Sequence, residues 1–429
     1  MIEKEILEFC EKLWPLNRSL TGDGNRETLK LISEELTGLM IQSLPSNTKV
    51  LDWEIPKEWK IKDAYIISPD GSKICSFSEN NLHVVGYSIP IDIELSLSEL
   101  KLHLYTIPEQ PNAIPYVTSY YSPSWGFCMS HEMYELLEEG KYRVYIDAEH
   151  IDGEFNYGEI IMPGKSRQEV FLSTYICHPS MANNEISGIA VLTFIVKWLQ
   201  SLPDRFYTYR IVFAPETIGP IAYLSLHKEK LKENVIAGLN FTCVGDDRAY
   251  SYMPSRSGNT LIDAVAQHVL KWIDQSYISY SWFDRGSDER QYCAPGIDLP
   301  LVSMMRTKYG EYPEYHTSLD VLNDVVTAGG LYGGFLANQR AIEALELNYS
   351  PQVQILCEPQ MSKRGLYSTI SSRESWRSSK LIMDFLSMCD GKHSLIEIAE
   401  LLKTPIWHLK ETIKLAQERN LISSKELER

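Results

Sequence analysis

Residues 175–188 read YICHPSMANNEISG, between the apolar runs EVFLSTY and IAVLTFIVKWL. A histidine at a strand end, followed by a polar loop and a helix start, is where an α/β enzyme can hold a metal ion. Three further stretches offer chemistry. Glu216 stands in VFAPETIG, an acid at a predicted strand end among apolar neighbours. RGSDERQY holds Arg285, Asp288 and Glu289. YGEYPEYHTSLD places His316 in a tyrosine-rich loop. Two imidazoles and several carboxylates supply metal ligands and a proton-transfer group.

Such residues need a scaffold to bring them together. From Gly158 to about Leu347, the strands EVFLSTY, YRIVFAPE, AGLNFTCVG and LPLVSMM alternate with helices that begin at SGIAVLTF, GPIAYLSL, NTLIDAVA and DVVTAGGL. This alternation predicts an α/β domain with a mixed, mainly parallel sheet flanked by helices, and chemistry beyond the carboxyl ends of the strands. Residues 1–49 join that domain (1–49 and 158–348), with helical periodicity through RETLKLISEELTGLMIQSL. Short runs separated by Gly, Pro, Asn and Ser mark 50–157 as a small, mainly β inserted domain. Residues 349–429 read as a polar linker, then three helices and a hairpin in the order of a winged helix-turn-helix.

Composition excludes several classes. With 44% hydrophobic and 23% charged residues, the 429-residue chain reads as soluble and globular. No run approaches the roughly 18 apolar residues that span a bilayer. The start, MIEKEILEFCEKLWPL, is acidic and helical rather than a signal peptide. Eight cysteines with no C-x-x-C pair suit reduced thiols in the cytoplasm, and Cys177 and Cys243 read as packing. The net charge of −16 argues against nucleic-acid binding. Residues 376–429 hold nine Lys plus Arg against eight Asp plus Glu, so the winged-helix segment reads as a packing or assembly module, with a homo-oligomer as one outcome.

The ordered set HPSMANNEISG, PETIG, TCVGDDRAY, RGSDERQYCAPGIDLP and GEYPEYHTSLD resembles the zinc aminopeptidase family that also contains glutaminyl cyclases. More closely, it resembles a bacterial branch of that family with a β insertion and a C-terminal winged helix. RSLTGDGNRETLKLISEEL is similar to the family's first helix. The resemblance implies two zinc ions bridged by an Asp, with a Glu as general base. Here the bridging Asp falls on Asn184, the second Glu of the pair on Thr217, the turn Asp on Thr242, and the Asp supporting the first His on Ser180. His178 and His316 match directly, and Glu216 falls on the base.

Fewer carboxylates leave the charge of two zinc ions unbalanced. One zinc is therefore expected, held by His178, Glu185 and His316, with Asp246 or Asp288 as alternatives to Glu185. Glu216 would accept a proton from water and pass it to a leaving amine. Asp288 and Arg285 would contact a substrate amine and carboxylate, or pair with each other. Tyr309, Tyr312, Tyr315 and Trp125 would wall the pocket or fill a domain interface. The expected activity is hydrolysis of an amide bond, by an exopeptidase acting on small peptides or aminoacyl conjugates. A non-catalytic binder of a peptide or sugar-linked ligand is the competing reading. A regulator with a peptidase-like sensor is the third.

Overall fold

The structure, a computed structural model, describes residues 2–364 and 373–423. Residues up to Thr260 together with Tyr277–Leu336 form one compact unit; Leu261–Ser276 and the residues from Ala337 onward form a second.

The first unit is built on an eight-stranded mixed sheet. Its order is Met40–Pro45, Glu154–Met162, Thr208–Ala214, Glu169–Tyr175, Val235–Phe241, Leu301–Met305, Ser251–Met253 and Ile278–Ser279. The four central strands, from Thr208–Ala214 to Leu301–Met305, run parallel. Every residue of Glu169–Tyr175 is buried, as expected of a strand covered on both faces. Arg210 is buried in the sheet, where it bonds both oxygens of Glu169 (2.6 and 3.0 Å) and Glu159 (2.8 Å), so neighbouring strands are pinned by paired charge. The helices Ser187–Ser201 and Ile218–Asn234 each follow a central strand, so the loops before them open at its carboxyl end.

RETLKLISEELTGLMIQSL is not one helix. The helix Asp23–Glu35 stops at Leu36, which is extended, and Gly38 takes a φ of 83°. Beyond it Met40–Pro45 becomes an edge strand, paired over six residues with Glu154–Met162. A glycine turn and a full ladder outweigh the helical spacing.

The expected β insertion forms its own antiparallel sheet, ordered Lys73–Ile74, Glu58–Ile67, Lys141–Ile151 and Ile91–Ser96. It lies within the first compact unit, because Lys141–Ile151 leads directly into Glu154–Met162 of the large sheet. A loop of the insertion is also zipped onto the loop carrying His316. Tyr116 N donates to His316 O at 2.9 Å, Ser318 N to Ile114 O at 2.9 Å, and Gln110 Nε2 to Pro313 O at 2.6 Å.

The second unit gathers the helices Leu261–Ile273, Arg373–Ser387, Leu395–Leu401 and Lys410–Glu418. Ser394 and Glu397 form a capping box that starts the third of these. His268 Nδ1 bonds Glu400 Oε1 at 2.6 Å, and its Nε2 accepts from Ile406 N at 3.0 Å. Val353 and Ile422 form an antiparallel bridge; the rest of the expected hairpin, from 424 onward, lies outside the described residues.

Candidate active site

The first histidine is set by an unusual turn. Ala182–Ile186 is a π-helical turn, in which Ile186 N reaches back to Met181 O at 3.1 Å. Asp320 closes its open end: its carboxylate accepts from Asn183 N (2.8 Å), Asn184 N (3.0 Å) and the Tyr312 hydroxyl (3.1 Å). The wide turn brings Glu185 back beneath His178.

There Glu185 gathers several hydrogen bonds. Its Oε2 accepts from His178 Nδ1 and Cys177 N, both at 2.8 Å, and from His178 N; its Oε1 accepts from Arg18 Nε at 2.7 Å. Both oxygens accept from N–H donors, so Glu185, the expected third ligand, holds the His178 ring in this arrangement, and it lies with Cys177 and His178 in a cluster of possible ligand atoms. Arg18 and Glu185 are each about 1% exposed, which makes this a buried ion pair. Burial disfavours a charged His178, but Glu185 outweighs it and raises the pKa. With Nδ1 given to a carboxylate, the lone pair of Nε2 is left facing the cleft, an arrangement that orients metal-binding histidines.

His316 comes from the opposite side. Its φ is 56°, and its ring stacks on Tyr315 with centroids 3.9 Å apart. Burial, then the nearby His178, pushes its pKa down to about 3, so it stays a neutral donor. The rings of His178 and His316 lie 5.4 Å apart. Two imidazoles bound at about 2.0–2.1 Å to one tetrahedral ion have ring centres roughly 5.2 Å apart. The ring separation is thus of the size that one shared ion requires, while among the described residues the cluster whose ligand atoms all lie within 4.8 Å of one another is Cys177, His178 and Glu185.

Glu216 completes the group, with Oε2 3.9 Å from His178 Nε2. A strained backbone presents it. Thr217 has φ 65° and ψ −69°, and Ile218 N bonds Glu216 O at 2.7 Å, a γ-turn of the rare, strained kind. Two residues clamp the turn: Asp288 Oδ1 accepts from Thr217 N at 2.8 Å, and Arg290 Nη2 donates to Thr217 Oγ1 at 2.7 Å. Burial raises the pKa of Glu216, while His178 and Arg290 restrain the rise. Burial, then Glu216, raises that of Asp288, whose buried Oδ2 has no hydrogen-bond partner among the described residues.

The remaining expected residues fall elsewhere. Asp288 positions the turn, and among the described residues it does not pair with Arg285. Arg285 is exposed, packed on Trp282 with its Nη1 on Trp282 O. Asp246 accepts from Asn183 Nδ2, Thr307 N, Thr307 Oγ1 and Arg248 N, and is saturated as a structural acceptor. The Tyr309 hydroxyl donates to Glu289 at 2.6 Å, away from the cleft. Tyr315 reaches the site through its stack on His316. Trp125 is stacked on His103 inside the insertion.

The cleft, of about 440 Å³, has walls that the sequence reading did not single out: Tyr116, Tyr120, Tyr121, Trp53 and Arg290, beside His178, His316 and Glu216. Tyr116 lies over both histidines, with ring centroids at 5.1 and 5.2 Å. Its signal is the aromatic run PYVTSYY just before SPSWG. Arg290 lies two residues beyond Asp288, on the short helix Glu289–Tyr292, where one residue is turned inward and another outward.

Where the resembled family keeps three further carboxylates, this site is neutral. The Tyr175 hydroxyl bonds Thr242 Oγ1 (2.7 Å) and Asn184 O (2.5 Å), and Asn184 Nδ2 faces His316 Nε2 at 3.4 Å. These residues do not fit a second ion.

Residues 7–348 match the family described as a domain of unknown function (DUF4910), and residues 349–424 match a winged helix-turn-helix family. The chain belongs to the DUF4910 family. A Clostridium acetobutylicum relative, provisionally named a polysaccharide biosynthesis protein with an aminopeptidase-like domain, is 42% identical over 401 residues, 92% of this chain and 90% of that one. A crystal structure from the same organism, provisionally named a peptidase, superposes with a TM-score of 0.92 at 39% identity over 98% of this chain and 96% of that one. A zinc aminopeptidase from Bacillus subtilis gives 0.59 at 13% identity, covering 80% and 94%. The peptidase M28 precursor of Shewanella amazonensis gives 0.57 at 12% identity, covering 83% and 97%. The DUF4910 segment thus has the zinc-aminopeptidase fold, with a winged helix after it. Among the described residues, no helix is long and apolar enough to cross a membrane.

Proposed function

We propose that this DUF4910 protein hydrolyses an amide bond in a sugar-linked substrate, an aminoacyl or N-acyl conjugate, with one zinc ion per chain. The observation that carries the reading is the convergence of His178 and His316 beside Glu216, with rings 5.4 Å apart and the carboxylate 3.9 Å from Nε2. His178 would hold the ion through Nε2 and His316 through its imidazole, with Glu185 and Arg18 fixing the first ring. When bound, zinc supplies Lewis-acid activation of the scissile carbonyl and of water. Glu216 accepts the proton from water and delivers it to the leaving amine. Water's oxygen ends on the acyl carbon, the C–N bond breaks, and a carboxylic acid and an amine are released. Arg290, a cation in the cleft wall, faces a substrate carboxylate or carbonyl. Tyr116 shields the histidines from bulk water. The sugar link is supported by the name of the Clostridium relative. The near-balanced charge of the winged helix supports a role in assembly, with no nucleic-acid partner.

The test is elemental analysis of the purified full chain together with hydrolysis of aminoacyl and N-acyl sugar amides. One equivalent of zinc, lost in His178→Ala and in His316→Ala along with turnover, is the expected result. A chain that takes up no metal from added zinc is a binding protein instead.

A further inference from the structure

Beyond the hydrolytic cleft lies a second concavity of about 430 Å³, lined by Tyr87, Tyr120, Tyr121 and His150 with Asn47, Glu54 and Lys57 around them. Tyr120 and Tyr121 line both spaces, so the two are neighbours with a shared aromatic wall. We infer that this annex, on the inserted β segment, is the subsite for the sugar ring of a substrate whose amide lies at His178 and His316. The inference rests on the hydrolase reading for the amide, but the recognition of a sugar is argued from the annex itself.

The junction is aromatic without being closed. Tyr121 is 52% exposed and Trp53 39%, and their rings meet edge to face at 5.5 Å. Behind them the aromatic wall is fixed: Tyr120 bonds the Tyr116 hydroxyl at 2.7 Å and packs edge-on against Tyr87 at 5.2 Å, and Tyr87 anchors its hydroxyl on Thr21 at 2.6 Å. The wall therefore runs unbroken from the two histidines into the annex. A sugar ring offers a patch of C–H bonds on one face and hydroxyls around its rim. It needs a rigid exposed ring to lie on and mixed donors and acceptors at the edge. Tyr and Trp give such area with little rotamer entropy to lose. Asn47, Glu54, Lys57, Ser119 and His150 supply an amide, a carboxylate, an ammonium, a hydroxyl and an imidazole at that edge. A nucleic-acid strand would want clustered cations, whereas here Lys57 lies 3.6 Å from Asp152 and beside Glu54. An extended peptide would want a free strand edge or a row of aliphatic pockets; Ile55, Pro56, Ile89 and Pro123 line the annex beside its three tyrosines, so a peptide is the competitor that the experiment must include.

The experiment uses the full chain carrying Glu216→Gln, so that no turnover occurs. Saturation-transfer NMR is recorded with N-acetylglucosamine, its disaccharide, glucose, and trialanine as the peptide probe. At least one sugar should take up saturation at its ring protons and quench Trp53 fluorescence. Tyr121→Ala and Trp53→Ala should weaken it at least tenfold, while Tyr121→Phe, which keeps the ring, should bind within threefold of the parent. Absence of binding by every sugar overturns the inference. So does binding equal in Tyr121→Ala and Tyr121→Phe, and so does trialanine competing for the same aromatic residues. A chain that binds sugar but holds no zinc sinks the hydrolase reading alone. A zinc hydrolase indifferent to these sugars sinks the annex alone.

Discussion

The two walls of one pocket are built from opposite chemistry. On the His178 wall, a buried arginine, a buried glutamate and a histidine form a charged relay, and Glu216 stands beyond it. On the Asn184 wall, Tyr175, Thr242 and Asn184 form a neutral hydrogen-bonded patch. A buried charge is tolerated only when paired, so each carboxylate removed from the second wall also removes the need for a cation there. The first wall keeps its charge because Arg18 balances Glu185 whether or not metal is present. What differs between the walls is therefore charge, an ion pair on one and none on the other, while the backbone that shapes both has the zinc-aminopeptidase fold.

The largest effect should come from the far end of the charged wall. Glu216→Gln is isosteric and removes only the proton acceptor, so hydrolysis should fall about 10²–10⁴-fold with zinc content unchanged. Parallel loss of zinc would make Glu216 a ligand and blur the contrast between the walls. Next comes the relay. Arg18→Met leaves the Glu185 carboxylate buried without its cation, which should cost about 3–5 kcal/mol in urea unfolding. Glu185→Gln, which keeps an acceptor for His178 Nδ1, should instead weaken zinc about 10–100-fold in chelator competition. If neither variant moves zinc affinity, the relay is only packing.

The strands of the parallel sheet were legible because each is a short, continuous apolar run between turns. EVFLSTY coincides with the strand Glu169–Tyr175. His178 and Glu216 stand out because each follows a strand, and His316 because of its tyrosine-rich loop and the order of motifs that the resemblance supplies; the fold brings the two rings within 5.4 Å. The ion pair of Glu185 is not legible in the sequence, because its partner, Arg18, is 167 residues away and sits in a stretch that reads only as a helix start. Nothing local in NRSLTGDGN announces a buried guanidinium. Arg290 is not legible beside Asp288 and Arg285, because no spacing rule reveals a γ-turn at Thr217 that is clamped from a distant loop. Tyr116 was missed because its position depends on the insertion pairing with the His316 loop. That contact joins segments about two hundred residues apart and leaves no periodicity behind.

A smaller effect tests the two histidines without metal. Burial, with His178 adding to it, pushes the pKa of His316 down to about 3 in the folded chain, against 6.5 as its ordinary value. Below pH 6.5 the unfolded chain takes a proton there that the folded chain refuses, so stability falls as pH drops through that window. By pH 5 the loss is about 2 kcal/mol. His178 works in the other direction, because its raised pKa gives stability that is present at low pH and lost as pH rises through the folded value. Comparing metal-free wild type with His316→Gln at pH 7 and pH 5 isolates the first effect. The variant should lose about 2 kcal/mol less between those two conditions. An equal loss in both proteins would mean that His316 is open to water in the folded chain.

The smallest effect should come from the neutral wall. Thr242→Val removes one hydroxyl while keeping the shape. The Tyr175 hydroxyl still has Asn184 O to donate to, so no buried donor is orphaned. The cost should be about 1 kcal/mol, read from the urea midpoint, with zinc content and hydrolysis unchanged. If Thr242→Val instead lowers zinc affinity as much as Glu185→Gln does, the neutral patch reaches the ion. The contrast between the walls would then be one of degree, because the hydroxyl network would be setting the orientation of Asn184 against His316.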